Sequence, residues 1–414
     1  MPEEFFVREF ANGLTFLGQR MGHVSSAAMS LVVPCGASHD STGCEGAAAV
    51  ASEWCLRGAG GRDTRQLNDA LNGLGCQHGE SVLSEHIQFS AAALGRNLPD
   101  VLGIYADILR RPRLEDSTFE HCRALVAQEL AGLEDEPMQK CGLLLREQFY
   151  PYPLGRNIYG KPESLEAIRA EDVREHLRRG FAPRGAILAV AGNIETEKLC
   201  DHLQRLLGEW DSPPREPLRT TDPPGGMVHL KKASAQVHIA MAHPAAPMSD
   251  RRYYAARLAE TVLSGGMSGR LFTEVREKRG LAYHVSTRYH SLKTHAGMFT
   301  YAATVPQKAQ TTFEVTLHEL RRLGEGIEPE EMTRARTQLR SALVMQGEST
   351  GARAAALSQD WYHLHRLRSL REISDNIEKV TVEEVLGYLR DFPARNLTVL
   401  AVGPEGLDTR ALNA

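Results

Sequence analysis

The stretch FAPRGAILAVAG, Phe181–Gly192, returns near the end of the chain as FPARNLTVLAVG, Phe392–Gly403. Each stretch begins with a turn that contains Phe, Pro and Arg and continues as a run of apolar residues that ends at a glycine. Such an apolar run is typical of a buried strand. The two copies lie about half a chain length apart. A period this long indicates a duplicated domain, because solenoid repeats are much shorter.

Other segments of the first half also return in the second half, in the same order. Each half has an apolar run, a helical stretch, a second apolar run and a helix. The apolar runs are Ala27–Val33 and HIQFSAAAL (His86–Leu94) in the first half, and QVHIAMAHP (Gln236–Pro244) and GMFTYAATV (Gly297–Val305) in the second. The repeat predicts that Phe89 and Phe299 occupy corresponding places.

Two predicted helices carry apolar residues spaced three and four apart, the pattern of a helix that packs against a core. The stripes are Val101, Leu102, Tyr105, Ile108 and Leu109 in the first half, and Phe313, Leu317, Leu320 and Leu323 in the second. Strands interspersed with such helices predict two αβ layers, each a sheet with helices on one face.

The segment SPPREPLRTTDPPGG, Ser212–Gly226, separates the two halves. Its five prolines remove backbone donors and resist both helix and central strand, so an extended linker is predicted. The predicted organisation is an N-terminal αβ domain at 1–211, a linker at 212–226 and a C-terminal αβ domain at 227–414.

Composition limits the classes of function. The formal net charge of −4 provides no basic surface for nucleic acid or for an anionic membrane. The seven cysteines form no CxxC pair and all lie in the first half, which predicts reduced thiols and no disulfide framework. No signal-peptide pattern opens the chain and no apolar run is long enough to span a bilayer, so a cytoplasmic location is expected.

The segment SGGMSGRLFTEVREKRGLAYHVS, Ser264–Ser286, resembles the start of the C-terminal half of the pitrilysin/insulinase metallopeptidases, the inverzincins. FYPYPLGRNIYGKPESLEAI, Phe149–Ile168, resembles the late part of that family's first half. Together with the two closing stretches, these matches span nearly the whole chain in the family's order. The resemblance implies two homologous αβ domains, each a mainly antiparallel sheet with helices on one face, in a clamshell arrangement.

The zinc motif is where this chain departs from the family. Family members begin a helix with GxxHxxEHxxxxGT, in which two histidines one turn apart bind zinc and the glutamate is the general base. Here the segment Gly46–Ala59 reads GAAAVASEWCLRGA. Ala49 replaces the first histidine, Ser52 replaces the base and Glu53 replaces the second histidine. The string LVAQEL retains the family's third ligand, a glutamate, as Glu129.

The donor set predicts that this chain has no metal site. Catalytic zinc takes three protein ligands of the His, Cys, Asp or Glu type and keeps one position open. Ala49 offers no donor and Ser52 is a poor base, so Glu53 and Glu129 are expected to be ordinary helix carboxylates. The alternative is a metal site rebuilt by neighbours in the sequence. Those neighbours are Glu45, Cys55, His78 and His86.

A second set of family residues is retained. In active members an Arg and a Tyr seven residues apart reach the substrate, and Arg276 and Tyr283 match them. An Arg can donate paired hydrogen bonds to a carbonyl or carboxylate, and a Tyr hydroxyl can donate to an oxyanion. Glu85 matches a family glutamate near the substrate strand and is the candidate substrate-binding residue. Without the resemblance, Arg276 would be interpreted as a surface helix charge and Tyr283 as an amphipathic strand residue.

Some family members divide these features between two chains, as the α and β subunits of the mitochondrial processing peptidase do. One chain carries HxxEH, and the other supplies the Arg and the Tyr. The resemblance therefore implies a zinc-free, substrate-binding subunit of a heterodimeric metalloendopeptidase, inactive alone. Its partner would be an HxxEH-containing homologue that binds zinc, and its substrate an unfolded peptide added as a strand to a sheet edge. The alternatives are a non-catalytic scaffold, like the core subunits of respiratory complexes, and a peptide-binding homodimer.

Overall fold

The computed structural model describes residues 3–214 and 217–412, and together these residues form two αβ units. The first unit takes the described residues within 1–132, 156–220 and 346–369, and the second takes those within 133–155, 221–345 and 370–414. The boundary at position 220 falls within the predicted linker, in which Arg215 and Glu216 lie outside the described residues. The linker residues that are described form no helix or strand apart from a bridge between Thr221 and Tyr152.

The strands and helices are numbered in chain order within the described residues. The strands are β1 (Phe5–Glu9), β2 (Thr15–Arg20), β3 (Ser26–Val33), β4 (Gly58–Ala59), β5 (Arg62–Asp63), β6 (Gln77–Val82), β7 (Ile87–Leu94), β8 (Ile187–Gly192), β9 (Met227–Lys231), β10 (Val237–Pro244), β11 (His284–Ser291), β12 (Ala296–Thr304) and β13 (Thr398–Gly403). The helices are α1 (Ala47–Cys55), α2 (Thr64–Gly73), α3 (Leu98–Arg110), α4 (Asp116–Gly132), α5 (Pro137–Phe149), α6 (Pro162–Ala167), α7 (Ala170–Gly180), α8 (Thr196–Leu207), α9 (Tyr253–Ser264), α10 (Ala309–Arg322), α11 (Pro329–Gly347), α12 (Thr350–Leu364), α13 (Leu370–Lys379) and α14 (Val382–Asp391). None of these helices is long and apolar enough to cross a bilayer.

Each unit contains one large sheet. The first has the strand order β1-β2-β8-β3-β7-β6, and the second has the order β11-β12-β10-β13-β9. Neighbouring strands are antiparallel apart from the parallel pairs β2/β8 and β9/β13. Read from β6 to β2, the first order matches the second strand for strand. The predicted duplication and the mainly antiparallel sheets are therefore confirmed.

The two closing stretches form β8 and β13, and every residue of both strands is buried. The strand β8 lies between β2 and β3, and β13 lies between β9 and β10. A strand that is covered on both faces needs apolar side chains on both, so it loses the alternation of a half-exposed strand. This explains why the sequences ILAVAG and TVLAVG are apolar over almost their whole length.

The two predicted apolar stripes lie in the cores of the two units. All five stripe residues of α3 are buried, and they share a core with Phe89 of β7. The stripe of α10, which continues to Leu323 just after the helix, is buried with Met298 of β12. Both predictions are confirmed, because spacing at three and four places these side chains on the helix face that meets the sheet.

Each sheet is also covered on its other face, by a helix from the other half of the sequence. In the first unit α12 packs on β3 and β8, where Ala354 and Leu357 join Val32 in an apolar cluster. In the second unit α5 packs on β10 and β13, where Cys141 joins Ala242. The sequence predicted helices on one face of each sheet only. The periodicity of α5 and α12 shows that they bury a face, but it does not show against which sheet.

Phe89 and Phe299 lie on the corresponding strands β7 and β12, but on opposite faces of their sheets. Phe89 pairs with Leu31 and points into the helical core of the first unit. Phe299 pairs with Ala242 and points towards α5. Successive residues of a strand point to opposite faces, so an offset of one residue reverses the environment. The prediction that the two phenylalanines correspond is wrong, and Met298 takes the core side of β12.

His243 is buried and His86 is half-buried, one in each unit, and the Nδ1 atom of each ring is shielded from water. Burial lowers the pKa of both imidazoles to about 4, because the charged form loses its hydration, and the charge of His363 adds to the shift at His86. The unfolded chain binds protons at these groups near pH 6.5, whereas the folded chain does so only near pH 4. Both histidines therefore stabilise the fold above pH 6.5, and their contribution is lost as the pH falls towards 4.

We expect the double variant His86→Gln/His243→Gln to show a flatter dependence of stability on pH than the parent chain. Each of these two imidazoles contributes a slope of about 1.4 kcal/mol per pH unit between pH 6.5 and pH 4. Urea-unfolding curves recorded between pH 7 and pH 5 test this. His23→Gln, which alters an exposed imidazole, is the control. Equal slopes in the parent and the double variant would contradict the burial argument.

Candidate functional site

The altered zinc motif folds as α1, whose N-terminus is held by Asp40. Gly46 has a left-handed conformation with φ of 101°, and a Cβ there would lie 2.7 Å from the carbonyl oxygen of Tyr159. The Asp40 carboxylate accepts hydrogen bonds from the backbone N–H groups of Gly46, at 2.8 Å, and Ala48, at 2.9 Å. These bonds satisfy two of the free donors at the helix start. Burial raises the pKa of Asp40 to about 7, and the two hydrogen bonds oppose this rise.

Three positions of the motif share one face of α1, because residues three and four apart lie above one another on a helix. Ala49 and Ser52 are buried, and Glu53 is half-buried. The Ser52 hydroxyl has no hydrogen-bond partner among the described residues. Because Ala49 lacks a donor atom and a serine hydroxyl is not a zinc ligand of the usual type, this face does not fit zinc.

Glu53 forms an ion pair with an arginine that lies just after the C-terminal end of α1. Arg57 follows four residues later and donates from Nη2 to Oε2 of Glu53 at 2.7 Å. The two side chains are 28% and 25% exposed, so the pair is partly shielded from water. The carboxylate that stands at the second zinc-histidine position is therefore already neutralised by a side chain.

Two further carboxylates lie near Glu53. Glu129 is an exposed residue of α4, which packs against α1, and partial desolvation and then the charge of Glu53 raise its pKa. Glu80 belongs to β6, which also contacts α1; burial and Glu53 raise its pKa, and Arg57 opposes the rise. Glu80 is not among the site residues predicted from the sequence. Strand alternation could have found it, because Glu80 shares a face of β6 with Val82, which packs on the core.

The structure shows the surroundings of the four neighbours in the sequence that could rebuild a metal site. The buried Cys55 thiol donates to the carbonyl three residues earlier, and burial raises its pKa well above the ordinary range. The ring of His86 lies against a tyrosine ring of α12, His78 is exposed, and Glu45 lies 3.9 Å from Arg156. Across residues 3–214 and 217–412, no group of three or more His, Cys, Asp and Glu side chains is arranged to hold a metal ion.

Arg276 lies in a wide helical turn, Phe272–Glu277, that precedes β11. The N–H of Lys278 donates to the carbonyl of Thr273, five residues earlier, at 2.9 Å, which is the hydrogen bond of a π-helix. The Arg276 side chain is exposed, and its guanidinium lies over the ring of Phe272, 5.0 Å from the centroid. This stacking restricts the guanidinium while its N–H edge remains open to a ligand.

Tyr283 immediately precedes β11, the edge strand of the second sheet. Its N–H donates to the carbonyl of Ala303 at 3.0 Å, which extends the ladder with β12, and the residue is 65% exposed. Arg276 lies near the same strand, since its charge adds to burial and to the charge of Arg288 in lowering the pKa of His284. The predicted pair therefore lies around the start of one edge strand, in the second unit, whereas α1 belongs to the first.

Glu85 lies half-buried in the loop between β6 and β7. The N–H groups of Ala37 and Ser38 donate to the carbonyls of Leu83, at 3.0 Å, and Ser84, at 2.7 Å. These bonds fix the loop beside the edge strand β6. The role of Glu85 in substrate binding stays a prediction.

Two models of one peptidase family match most of the chain. The model described as Insulinase (Peptidase family M16) matches residues 19–161, and the model described as Peptidase M16 inactive domain matches residues 167–339. A protein of Rickettsia felis that is named an uncharacterized zinc protease is 26% identical over 414 residues, which cover 98% of this chain and 99% of that protein.

Solved structures share the fold over almost the whole chain. A peptidase M16 inactive domain from Pseudomonas fluorescens superimposes with a TM-score of 0.87 at 18% identity, covering 98% of this chain and 99% of that one. A protease from Helicobacter pylori superimposes with a TM-score of 0.88 at 14% identity, covering 97% and 100%. These likenesses confirm the architecture of the two αβ units.

Proposed function

Because this chain belongs to the insulinase family of M16 peptidases, we propose that it is the zinc-free, substrate-binding subunit of a heterodimeric zinc peptidase. One observation carries the proposal. The zinc donors are replaced at Ala49, Ser52 and Glu53, while Arg276 and Tyr283 are retained and exposed. In this proposal the missing donors come from a homologous partner subunit that carries HxxEH.

The proposed role of this chain is to bind the peptide and to stabilise the negative charge that develops during its cleavage. The zinc expected in the partner would polarise the scissile carbonyl and would lower the pKa of the water that it binds. The Arg276 guanidinium binds a carbonyl or carboxylate of the peptide through paired N–H donors. The Tyr283 hydroxyl donates a hydrogen bond to the oxygen on which negative charge develops, where a positioned donor has its largest effect. The exposure of both side chains supports these roles.

The substrate that we expect is an unfolded peptide, bound as an added strand. The strands β6 and β11 each end their sheet, so one side of each backbone has no partner strand among the described residues. Such an edge offers N–H and C=O groups to an extended peptide of almost any sequence. Tyr283 lies at the start of β11 and Glu85 follows β6, which supports a role for both in peptide binding. The Glu85 carboxylate would select a basic side chain or an amino terminus.

Metal content and peptidase turnover test the proposal, measured on the purified chain alone and after mixing with a homologous HxxEH subunit. We expect neither stoichiometric zinc nor turnover from this chain alone, and both from the mixture. The matched control replaces the glutamate of HxxEH in the partner by glutamine, which should abolish turnover while zinc stays bound. Stoichiometric zinc and turnover in this chain alone would show that the assignment is wrong.

The same experiment separates the two alternatives. A mixture without turnover, in which this chain alone still binds an extended peptide, would favour a peptide-binding homodimer. A mixture in which neither turnover nor peptide binding is detected would favour a structural scaffold of the same fold.

A further inference from the structure

A cavity of about 530 Å³ lies within the first unit, outside the altered zinc motif. We propose that it binds a small organic acid, whose carboxylate accepts hydrogen bonds from the guanidiniums of Arg178 and Arg179 and from the hydroxyl of Ser38. This site is separate from the proposed function and needs no partner subunit. The volume of the cavity falls in the range of sites that enclose small molecules.

The cavity lies between three segments of the first unit. Its walls are residues 38–41, which precede α1, the last turns of α7, and described residues of the linker. The linker contributes the rings of Pro213 and Pro214 and the side chain of Leu218, which form the apolar part of the wall. Apolar surface combined with a few polar groups is typical of a site that binds an organic molecule.

Ser38 provides a buried hydroxyl on the cavity wall. The residue is 2% exposed, and its Oγ has no hydrogen-bond partner within the described ranges of the chain. Its backbone N–H donates to the carbonyl of Ser84 at 2.7 Å, so the position of the residue is fixed. A buried hydroxyl without a partner costs free energy, and native proteins leave few such groups unpaired. An oxygen atom of a ligand in the cavity would accept from this hydroxyl.

Arg178 and Arg179 bring further donors to the cavity from the C-terminal end of α7. Glu175 orients both guanidiniums. It accepts from Nε and Nη2 of Arg178, at 2.6 Å and 2.8 Å, and from Nε of Arg179. The other N–H groups of the two side chains have no partner in the part of the chain that the structure describes. Two guanidiniums held by one residue can bind a carboxylate through several charged donors.

The carboxylates of the wall do not occupy these remaining donors. Asp40 is 5% exposed and accepts from the backbone N–H groups of Gly46 and Ala48 at the start of α1. Its Oδ1 also lies 3.6 Å from Nδ1 of His176. Glu175 is engaged with the Nε groups of the two arginines. The N–H groups that point away from Glu175 are therefore available to a ligand.

The charges of the wall favour an anion with a single charge. Arg219 of the linker joins the two arginines of α7, so three arginines face the two carboxylates of Asp40 and Glu175. Even with Asp40 counted as ionised and the histidines as neutral, the described lining residues carry a net charge of +1. A carboxylate balances this charge. A phosphate monoester would bring about two negative charges at neutral pH, and an ammonium group would be repelled.

Three probes that share one alkyl chain test the inference on the full chain: hexanoate, hexanamide and hexylammonium. We expect hexanoate to bind with a Kd on the order of 1 mM, hexanamide roughly tenfold more weakly, and hexylammonium not to bind. Ligand-detected NMR titrations measure all three. With hexanoate at about ten times its Kd, the ratio of folded to unfolded chain in urea should rise roughly tenfold.

Two variants locate the bound carboxylate. Ser38→Ala should weaken hexanoate binding roughly fivefold because it removes one donor, and Arg179→Gln roughly tenfold because it removes a charged donor. Arg205→Gln is the matched control. Arg205 is an exposed arginine of α8 in the same unit and lies outside the cavity, so its loss should leave hexanoate binding unchanged.

Equal binding of hexanoate and hexanamide, tighter binding of hexylammonium, or no binding of any probe would overturn the inference. Hexanoate binding that neither Ser38→Ala nor Arg179→Gln weakens would also overturn it, because the carboxylate would then be bound elsewhere on the chain. Arg179 is an exposed side chain, so its variant decides the question even if the change at the buried Ser38 prevents folding.

Discussion

Replacing Arg276 by alanine is expected to lower kcat/KM of the reconstituted complex roughly a hundredfold or more, with little effect on the stability of the chain. The side chain is exposed and stacks on the ring of Phe272, so its loss opens no cavity. Tyr283→Phe should lower kcat by a similar factor, because it removes the proposed donor to the oxyanion and leaves the ring in place. Steady-state kinetics on one peptide, at equal zinc content, measure both effects.

Arg334→Ala is the matched control for this prediction. Arg334 is an exposed arginine of α11 in the same unit, without a proposed role in catalysis, so its loss should leave turnover unchanged. The two test variants should also change different kinetic parameters. Arg276→Ala should raise KM because the guanidinium binds the peptide in its ground state, whereas Tyr283→Phe should act mainly on kcat. A complex that stays fully active with both substitutions would assign this chain a scaffold role.

Cutting the chain between its halves is expected to prevent the first half from folding alone. A fragment of residues 1–214 lacks α12, so one apolar face of its sheet, including Leu17, Val32 and Ile187, would be exposed to water. Exposed apolar area costs about 25 cal/mol per Å², and a face of this kind promotes aggregation. The fragment 217–414 lacks α5 for its own sheet. Soluble yield and circular dichroism should show folded protein only when both fragments are co-expressed.

A point variant of the full chain tests the same packing. Leu357 is buried where α12 meets the first sheet, so Leu357→Asp should destabilise the chain by about 3–5 kcal/mol, through lost packing and a buried unpaired charge. Gln359→Asp introduces the same charge at an exposed position of α12 and should change stability little. Equal urea midpoints for the two variants, or a folded 1–214 fragment, would mean that α12 is not needed to cover the sheet.

Local sequence determined the duplication, the buried closing strands and the loss of the zinc donors. The strands β8 and β13 are apolar along almost their whole length because both of their faces are covered, and this pattern is visible without a structure. Ala49, Ser52 and Glu53 share a face of α1 through helix geometry alone, so their residue types are enough to reject a zinc site. These properties depend on residues within a single strand or helical turn.

Only the tertiary structure decided which sheets α5 and α12 cover, which face Phe299 occupies, and which carboxylate joins Glu53 and Glu129. The approach of Glu80 to Glu53 requires both the pairing of β6 with β7 and the packing of β6 on α1. A shift of one residue in strand register would reverse the face of Phe299. These contacts join residues that are far apart in the chain, and their free energies depend on the packing of whole elements, which local periodicity does not encode.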